Sequence, residues 1–367
     1  MMNIISKESV RKWGIGVMST GLLFGGGLLP SETGYAAASK TENKAIDSRI
    51  VLKANGINSL KEGILKEGQA WIPITFMRDV LGLPLAYNKK ENAYMIGKGS
   101  AKAKLILSSY GTSVWVNNYF IREYEGKLIN NRLYVPSGLL NDYMGYKVDW
   151  SRAASRLNVV NRPQNALTVT TETYAKDRAE AFIQLDYPKI SGLGNSSAQQ
   201  AINNTLKESV MKFAAGAEQD ISDRDGAEPK YTYDSGYVVT YNQNGVISIV
   251  MHQYSDTGGA HGMTNREAFT FSLKDGKRLL LGDLFGANPN YKKQLNAKLS
   301  KLLKAEASYL GGFNGLNTEK YFYLKDDKVV LFFQLYEYTA YAAGFPEYTF
   351  SFKELLPDGS SPFAGMK

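Results

Sequence analysis

The chain has 367 residues, of which 44% are hydrophobic and 21% charged, with a formal net charge of +8 and no cysteine. That is the composition of a folded globular chain, long enough for two or three domains. The missing cysteines exclude disulfides, thiol catalysis and thiolate metal sites. No nucleic-acid motif accompanies the positive charge.

The N-terminus reads as an export signal. Lys7, Arg11 and Lys12 precede the apolar stretch Trp13–Leu29, and Ala36-Ala37-Ala38 supplies the small residues of a cleavage site. Residues 1–38 are therefore expected to be a signal peptide, with the membrane a partner only during export. Retention as an anchor is the alternative, since the apolar stretch approaches the lower length limit of a span. Residues 39–48 are polar and read as a linker. An exported chain without cysteine fits a Gram-positive envelope.

The charge is unevenly spread. Residues 39–163 carry 19 Lys and Arg against 10 Asp and Glu, whereas residues 164–367 carry 21 against 23. The basic front half is either a solvated surface or an attractor of anionic wall polymer.

A repeat occupies that front half. Aligning Pro73 with Pro136 places Gly82 on Gly145, Tyr87 on Trp150, and Met95-Ile96 on Asn158-Val159, at a constant offset of 63 residues. Each copy reads as a short strand ending in Pro, a helix ("ITFMRDVLG", "SGLLNDYMG") closed by Gly, and two strands around a polar turn. Pro suits a first helical turn and Gly a helix end. Between the copies, "AKLILSSYGTSVWVNNYFI" reads as a strand pair turning at Gly111-Thr112. The pattern at 48–162 resembles the copper amine oxidase N-terminal-like, or stalk, domain. Copper chemistry is not implied. Such enzymes need three histidine ligands in a separate domain, and this chain has only His252 and His261.

The C-terminal half reads as ββαββ followed by βαβββ. "LTVTTETYA" and "AEAFIQLDYPKI" alternate as strands. A helix then starts near Asn195 or Ser196, with Ile202, Leu206, Val210 and Phe213 on one face. "KYTYDSGYVVTYNQNGVISIVMHQYSD" is a hairpin turning at "NQNG". A second helix is expected with Asn288 as cap, Pro289 in its first position, and Leu295, Leu299, Leu302 and Leu303 as its apolar face. Asp326-Asp327 marks a late hairpin turn. The expected class is α+β: a small α/β stalk-like repeat domain, then two antiparallel sheets each packed with a helix. The expected boundaries are 48–162, 167–262 and 263–357.

Three stretches carry a second resemblance: "LDYPKISGLGNSSAQQAINNTLK", "GVISIVMHQYSDTGGAHGMTNREAFTFSLKDGKRLLLGDLF" and "FPEYTFSFKELLP". They are similar to the tandem extracellular domains of the anti-sigma factor RsiV, and to the non-catalytic region of some peptidoglycan deacetylases. In RsiV this region binds lysozyme. The chain shows neither a cytoplasmic sigma-binding segment nor a polysaccharide deacetylase domain. The resemblance therefore implies binding, not signalling or deacetylation.

The candidate chemistry centres on "SDTGGAHGMTN", Ser255 to Asn265. His252 and His261 lie nine residues apart with no close ligand spacing, so no metal or cofactor is expected. No G-x-S-x-G elbow or phosphate loop occurs, and no catalytic residue is assigned. The glycines suit positive φ or close backbone approach, Gly259 among them, with His261 bonding backbone in a tight crossing. The alternative is a ligand-contacting loop. Aromatics in "QLYEYTAYAAGFPEY", Gln334 to Tyr348, suit a sugar platform or a protein hot spot, or simply half-buried strand positions. The candidate binding residues are Tyr254, Asp256, Gly258, Gly259, His261, Tyr336, Tyr338, Tyr341 and Phe345. The expected function is a secreted or wall-associated, non-enzymatic binding protein whose partner is a lysozyme-like protein, peptidoglycan or anionic wall polymer. A glycan-acting enzyme using paired carboxylates is the alternative.

Overall fold

The computed structural model describes residues 48–226, 229–364 and 366. The signal segment and its cleavage site lie outside the described residues. Among the described residues no helix is long and apolar enough to cross a membrane.

The repeat region runs β1 (Ser48–Ala54), β2 (Ile57–Lys66), β3 (Gln69–Pro73), α1 (Ile74–Asp79), β4 (Leu85–Asn88), β5 (Ala93–Ile96), β6 (Ala103–Ser108), β7 (Gly111–Val116), β8 (Tyr119–Ile129), β9 (Arg132–Pro136), α2 (Ser137–Tyr143), β10 (Tyr146–Ser151) and β11 (Arg156–Asn161). The repeat is longer than its motif suggests: β1-β2-β3-α1-β4-β5 is matched by β7-β8-β9-α2-β10-β11. The strands follow one another in the order β10-β11-β1-β2-β3-β9-β8-β7-β6-β5-β4. The copies meet where β3 pairs antiparallel with β9, through Trp71↔Pro136, Ile72↔Val135 and Pro73↔Tyr134. Equivalent residues thus exchange partners about a local two-fold axis. Equivalent side chains also fill the core, since Ile72, Phe76 and Met77 and their counterparts Val135, Leu139 and Leu140 are all fully buried. Each Pro ends its strand and stands at the helix cap, one place before the first helical residue. Gly82 and Gly145 follow the helices at positive φ, as a helix end requires. The β6–β7 turn is Ser109-Tyr110, earlier than the glycine that suggested it, because Ser108 pairs with Gly111.

The rest of the chain forms β12 (Thr168–Asp177), β13 (Ala181–Ser191), α3 (Ser196–Ser222), β14 (Tyr231–Gln243), β15 (Val246–Asp256), β16 (Met263–Ser272), α4 (Leu281–Phe285), α5 (Tyr291–Ala305), β17 (Phe322–Lys325), β18 (Lys328–Phe332), β19 (Glu347–Ser351) and α6 (Phe352–Leu355). The α+β class holds, as a five-stranded sheet β12-β13-β14-β15-β16 and a three-stranded sheet β17-β18-β19. The first is mixed, not wholly antiparallel. β13 and β14 run parallel because α3 is the crossover between them. Asn195 caps α3 by accepting from the Ala198 backbone N–H at 3.1 Å. Ile202, Leu206 and Val210 are buried, followed by Ala214 and Ala217, while Phe213 is only half-buried.

A division at 262/263 would separate β15 from β16, which pair from Val246↔Ser272 to Ser255↔Met263. Lys274-Asp275-Gly276 turns after β16, and a short extension leads into α4. Helix α5 starts later than expected, at Tyr291 behind Asn290. Asn288 instead accepts from the Asn290 N–H at 2.9 Å, holding the turn before the helix. Leu295, Leu299 and Leu303 are buried as expected, whereas Leu302 is 41% exposed. Val238, Val250, Ala268, Tyr323, Val330 and Phe332 join the repeat's own core cluster, so the stalk-like repeats share one interior with both C-terminal sheets.

Candidate functional site

Two loops converge at one rim of the five-stranded sheet: residues 257–262, between β15 and β16, and residues 333–346, between β18 and β19. The first is shaped from its strand outward. An Asp256 carboxylate oxygen accepts from the Gly258 N–H at 3.0 Å, and the other accepts from the Tyr254 hydroxyl at 3.3 Å. Burial, then the Asp256 charge, pushes the Tyr254 phenol up to about 12. Gly258 has φ +87°, and a Cβ there would lie 2.5 Å from Pro229. Gly262 presses on Tyr254, whose hydroxyl would be 2.3 Å from an added Cβ. Gly259 differs from expectation: its φ is not positive and nothing lies within 4 Å of an added Cβ.

The Gly262 carbonyl organises the aromatic groups. It accepts from the Tyr341 hydroxyl at 2.8 Å and from His261 Nδ1 at 3.0 Å. Because a carbonyl only accepts, Nδ1 carries the proton and Nε2 is free to accept from the Tyr336 hydroxyl at 3.3 Å. The His261 ring stacks on Tyr341 at 3.9 Å and lies 6.3 Å from Tyr336. His261 is exposed and Tyr336 is half-exposed, with φ +63°, a costly conformation for a side chain with a Cβ. The result is a three-ring surface patch with a polar edge.

Six of the nine sequence candidates, Tyr254, Asp256, Gly258, His261, Tyr336 and Tyr341, therefore build one patch. Gly259 is exposed, and a side chain added there would meet open space. Tyr338 is turned into the C-terminal core, edge-on to Phe313 at 5.3 Å and Phe333 at 4.9 Å. Phe345 packs against both the Arg266 guanidinium, 4.1 Å from its ring centre, and the His252 ring, 5.1 Å away.

That last contact belongs to a polar cluster absent from the sequence candidates. Arg266 on β16 donates from Nε to His252 Nε2 at 2.9 Å, and its guanidinium pairs with Glu347 on β19. The Tyr119 hydroxyl of β8 lies 3.1 Å from His252 Nε2 and 3.5 Å from an Arg266 nitrogen. Gln334 exchanges two hydrogen bonds with the Arg266 backbone, at 3.1 and 2.7 Å. Burial, reinforced by the Arg266 charge, holds the His252 imidazole well below its ordinary pKa. An acceptor at Nε2 agrees with that neutral ring. The signal was present in "MTNREAFTFS", where alternation puts Arg266 on the same side as Ala268 and Thr270, an inward place for a charge.

The patch offers stacking and hydrogen bonding, the chemistry of recognition. Among the described residues the hydroxyls hydrogen-bonded to the two histidines are the phenols of Tyr119 and Tyr336. Among the described residues no group of three or more His, Cys, Asp or Glu is placed to hold a metal ion.

Comparison with known proteins divides the chain in the same order. Residues 51–159 match the family described as copper amine oxidase N-terminal domain. Residues 155–264 match the one described as deacetylase PdaC, and residues 282–353 match a protein family of unknown function, DUF3298. The stalk-like domain and the tandem C-terminal region read from the sequence are thus found in series. No curated protein matches the chain. Among solved structures, a DUF3298 family member from Bacteroides fragilis is 18% identical, covering 56% of this chain and 99% of its own at a TM-score of 0.41. A DUF3298 family protein from Pseudomonas aeruginosa is 19% identical, covering 53% and 97% at a TM-score of 0.39.

Proposed function

We propose that this chain is an exported, cell-envelope-associated binding protein without catalytic activity, whose Tyr336–His261–Tyr341 patch receives a protein or glycan of the envelope. The observation that carries this reading is the single Gly262 carbonyl that fixes both His261 and Tyr341 while leaving the stack open to solvent. Rigid aromatic groups with a polar edge lose little entropy on binding and suit both sugar rings and protein hot spots. Between the two ligands, the RsiV resemblance favours a lysozyme-like protein. The family matches support envelope association in general.

The test is capture of lysozyme and of purified wall fragments by the exported protein and by His261→Ala and Tyr336→Ala. The variants should fold normally and lose the ligand at least tenfold. Equal capture by all three proteins overturns the assignment of the patch. Loss of wall turbidity on adding the unaltered protein would overturn the non-enzymatic reading.

A further inference from the structure

A cation from the repeat domain, Arg122 of β8, stands against the loop that carries Tyr336 and Tyr341. We infer that Arg122 completes the Tyr336–His261–Tyr341 patch as a docking face for a protein that presents a carboxylate side chain. The inference rests on the patch being the binding face, and adds the charge its partner must bring.

A bulge carries Arg122 to this place. The register passes from Ser113↔Glu125 to Trp115↔Phe120, so Val114 of β7 stands against the four residues 121–124 of β8. Such an excess bends a strand and re-aims its side chains. Ile121 is fully buried, while Arg122 is exposed. The first copy bulges at the matching place, where Val51↔Glu62 and Lys53↔Asn58 leave Leu52 against residues 59–61. Leu60 is the fourth residue of β2 as Arg122 is of β8, and it is fully exposed. Only the second copy's bulge meets the loop before β19.

The meeting point is shaped for a guanidinium. The Gly344 N–H donates to the Tyr341 carbonyl at 2.9 Å, closing the turn that begins at Tyr341. Gly344 has φ +74°, and a Cβ there would run into the Arg122 guanidinium. The charge is felt at the patch: burial pushes the Tyr341 phenol up, Tyr336 and Asp256 act in the same direction, and Arg122 opposes them. Arg122 nevertheless has no ion pair or hydrogen bond among the described residues, unlike Arg162, paired with Asp326, and Arg266, paired with Glu347. Asp256, the carboxylate that acts on the same phenol, is already engaged by the Gly258 N–H and the Tyr254 hydroxyl. The patch therefore has a positioned cation and no carboxylate of its own to meet it.

These contacts select the partner. A guanidinium matches a carboxylate with two parallel N–H···O bonds. Tyrosine and arginine are the residue types enriched at the energetic centres of protein interfaces. His261 and Tyr341 stack on each other at 3.9 Å, so each takes one of the ring faces on which a pyranose would lie. That favours a protein over an acidic glycan. An Asp or Glu beside an apolar or aromatic side chain satisfies the rings and the cation together. The positive balance of residues 39–163 adds long-range attraction for an acidic surface.

The test titrates the full chain with four polymers: the random copolymers poly(Glu,Tyr) and poly(Lys,Tyr), polyglutamate, and polygalacturonate as an acidic glycan. Binding is read by interferometry at low and high salt. Poly(Glu,Tyr) should bind most tightly and poly(Lys,Tyr) least, and salt should weaken the former. Arg122→Gln should weaken poly(Glu,Tyr) about tenfold, the loss of one charge-assisted pair. Its urea midpoint should not change, because the side chain is exposed and bonds nothing among the described residues. Arg122→Lys should restore only part of the affinity, since an ammonium lacks the planar fork. Arg156→Gln removes the same charge from an exposed site on β11 and should change nothing. His261→Ala should weaken poly(Glu,Tyr) as well. The inference is overturned if Arg122→Gln binds poly(Glu,Tyr) like the unaltered chain, if Arg156→Gln loses as much, or if polygalacturonate binds as tightly with the same dependence on Arg122. Loss with His261→Ala but not with Arg122→Gln keeps the patch as the binding face and removes the role of the cation. No loss with either variant removes both. Loss with Arg122→Gln alone would place the partner outside the patch, and overturns the inference equally.

Discussion

Tyr119 and Ile57 open equivalent strands of the repeat, yet Tyr119 is 6% exposed and Ile57 is 75% exposed. Each follows a two-residue turn at positive φ, Asn117-Asn118 in one copy and Asn55-Gly56 in the other, closed by Val116↔Tyr119 and Ala54↔Ile57. The second copy's turn is docked. The Tyr237 N–H donates to the Asn117 carbonyl at 3.2 Å, Asn118 donates to the Asp234 carboxylate, and the Tyr119 ring stacks on His252 at 4.1 Å. Repetition supplied two hairpins, and the chain used one to seat the C-terminal sheets.

Tyr119→Ala should therefore cost roughly 3–5 kcal/mol, the range for emptying a buried aromatic site. Ile57→Ser should stay within about 0.5 kcal/mol, as for other exposed substitutions. Urea midpoints of the two variants check this, and equal losses would mean that the copies are not used differently.

The glycine loop separates conformational need from mere exposure. Gly258→Val places a β-branched side chain at φ +87° and against Pro229, and should destabilise by about 1–2 kcal/mol or more. Gly259→Val meets open space without positive φ and should be close to neutral. His261→Ala should lose under about 1.5 kcal/mol, the worth of one aromatic pair, since the ring is exposed. Denaturant midpoints of the three variants decide, and a large loss at Gly259 would contradict the loop geometry.

Local patterns in the sequence were enough to place most elements. The offset between Pro73 and Pro136, the cap at Asn195 and the "NQNG" turn depend on residues close in sequence, and each stands where its pattern puts it. What was not legible depends on long-range pairing. The "DTGGAHG" stretch read as a loop and "YEYTAYAAG" as an aromatic run at a strand's end, but only the fold brings the Gly262 carbonyl to Tyr341 across 79 positions. Tyr338 and Tyr336 are two residues apart and equally aromatic, and a single turn at φ +63° sends one outward and the other into the core. Arg266, Tyr119 and Glu347 come from three different sheets' worth of strands, so no spacing could relate them.

His252 gives the fold a pH dependence of defined sign. Its folded pKa is depressed by burial and by Arg266, below the ordinary value of 6.5 that it regains on unfolding. Below that value the unfolded chain binds the proton and the folded one resists it. Stability is thus complete above about pH 6.5 and falls as the pH drops toward the folded pKa, by at most about 1.4 kcal/mol per pH unit for one proton. The groups facing the ring are Tyr119, Arg266 and Phe345, with Glu347 beyond Arg266. His252→Gln keeps an acceptor for Arg266 and should flatten the slope of urea stability between pH 6.5 and 5. An unchanged slope would assign the acid sensitivity to other groups.

The Arg266–Glu347 pair should respond asymmetrically to the removal of either partner. The Arg266 side chain is 8% exposed and that of Glu347 is 38% exposed, so water can compensate a lone Glu347 but not a lone Arg266. Arg266 also donates to His252 and covers the Phe345 ring, contacts that Glu347 does not make. Glu347→Gln keeps an oxygen acceptor for the guanidinium and removes only the charge, for an expected loss of about 1–2 kcal/mol. Arg266→Ala empties the space under Phe345 and leaves His252 Nε2 and Glu347 without the guanidinium, for an expected loss of about 3–5 kcal/mol. Arg266→Met refills the volume without the charge and should recover part of that loss. In the double variant Arg266→Met with Glu347→Gln, no charge remains to be compensated, so the losses should sum to less than the two single values. Urea denaturation of the four proteins at pH 7 gives the cycle. Strict additivity would show that Arg266 acts through packing alone, and that the ion pair linking β16 to β19 contributes nothing to holding the two C-terminal sheets together.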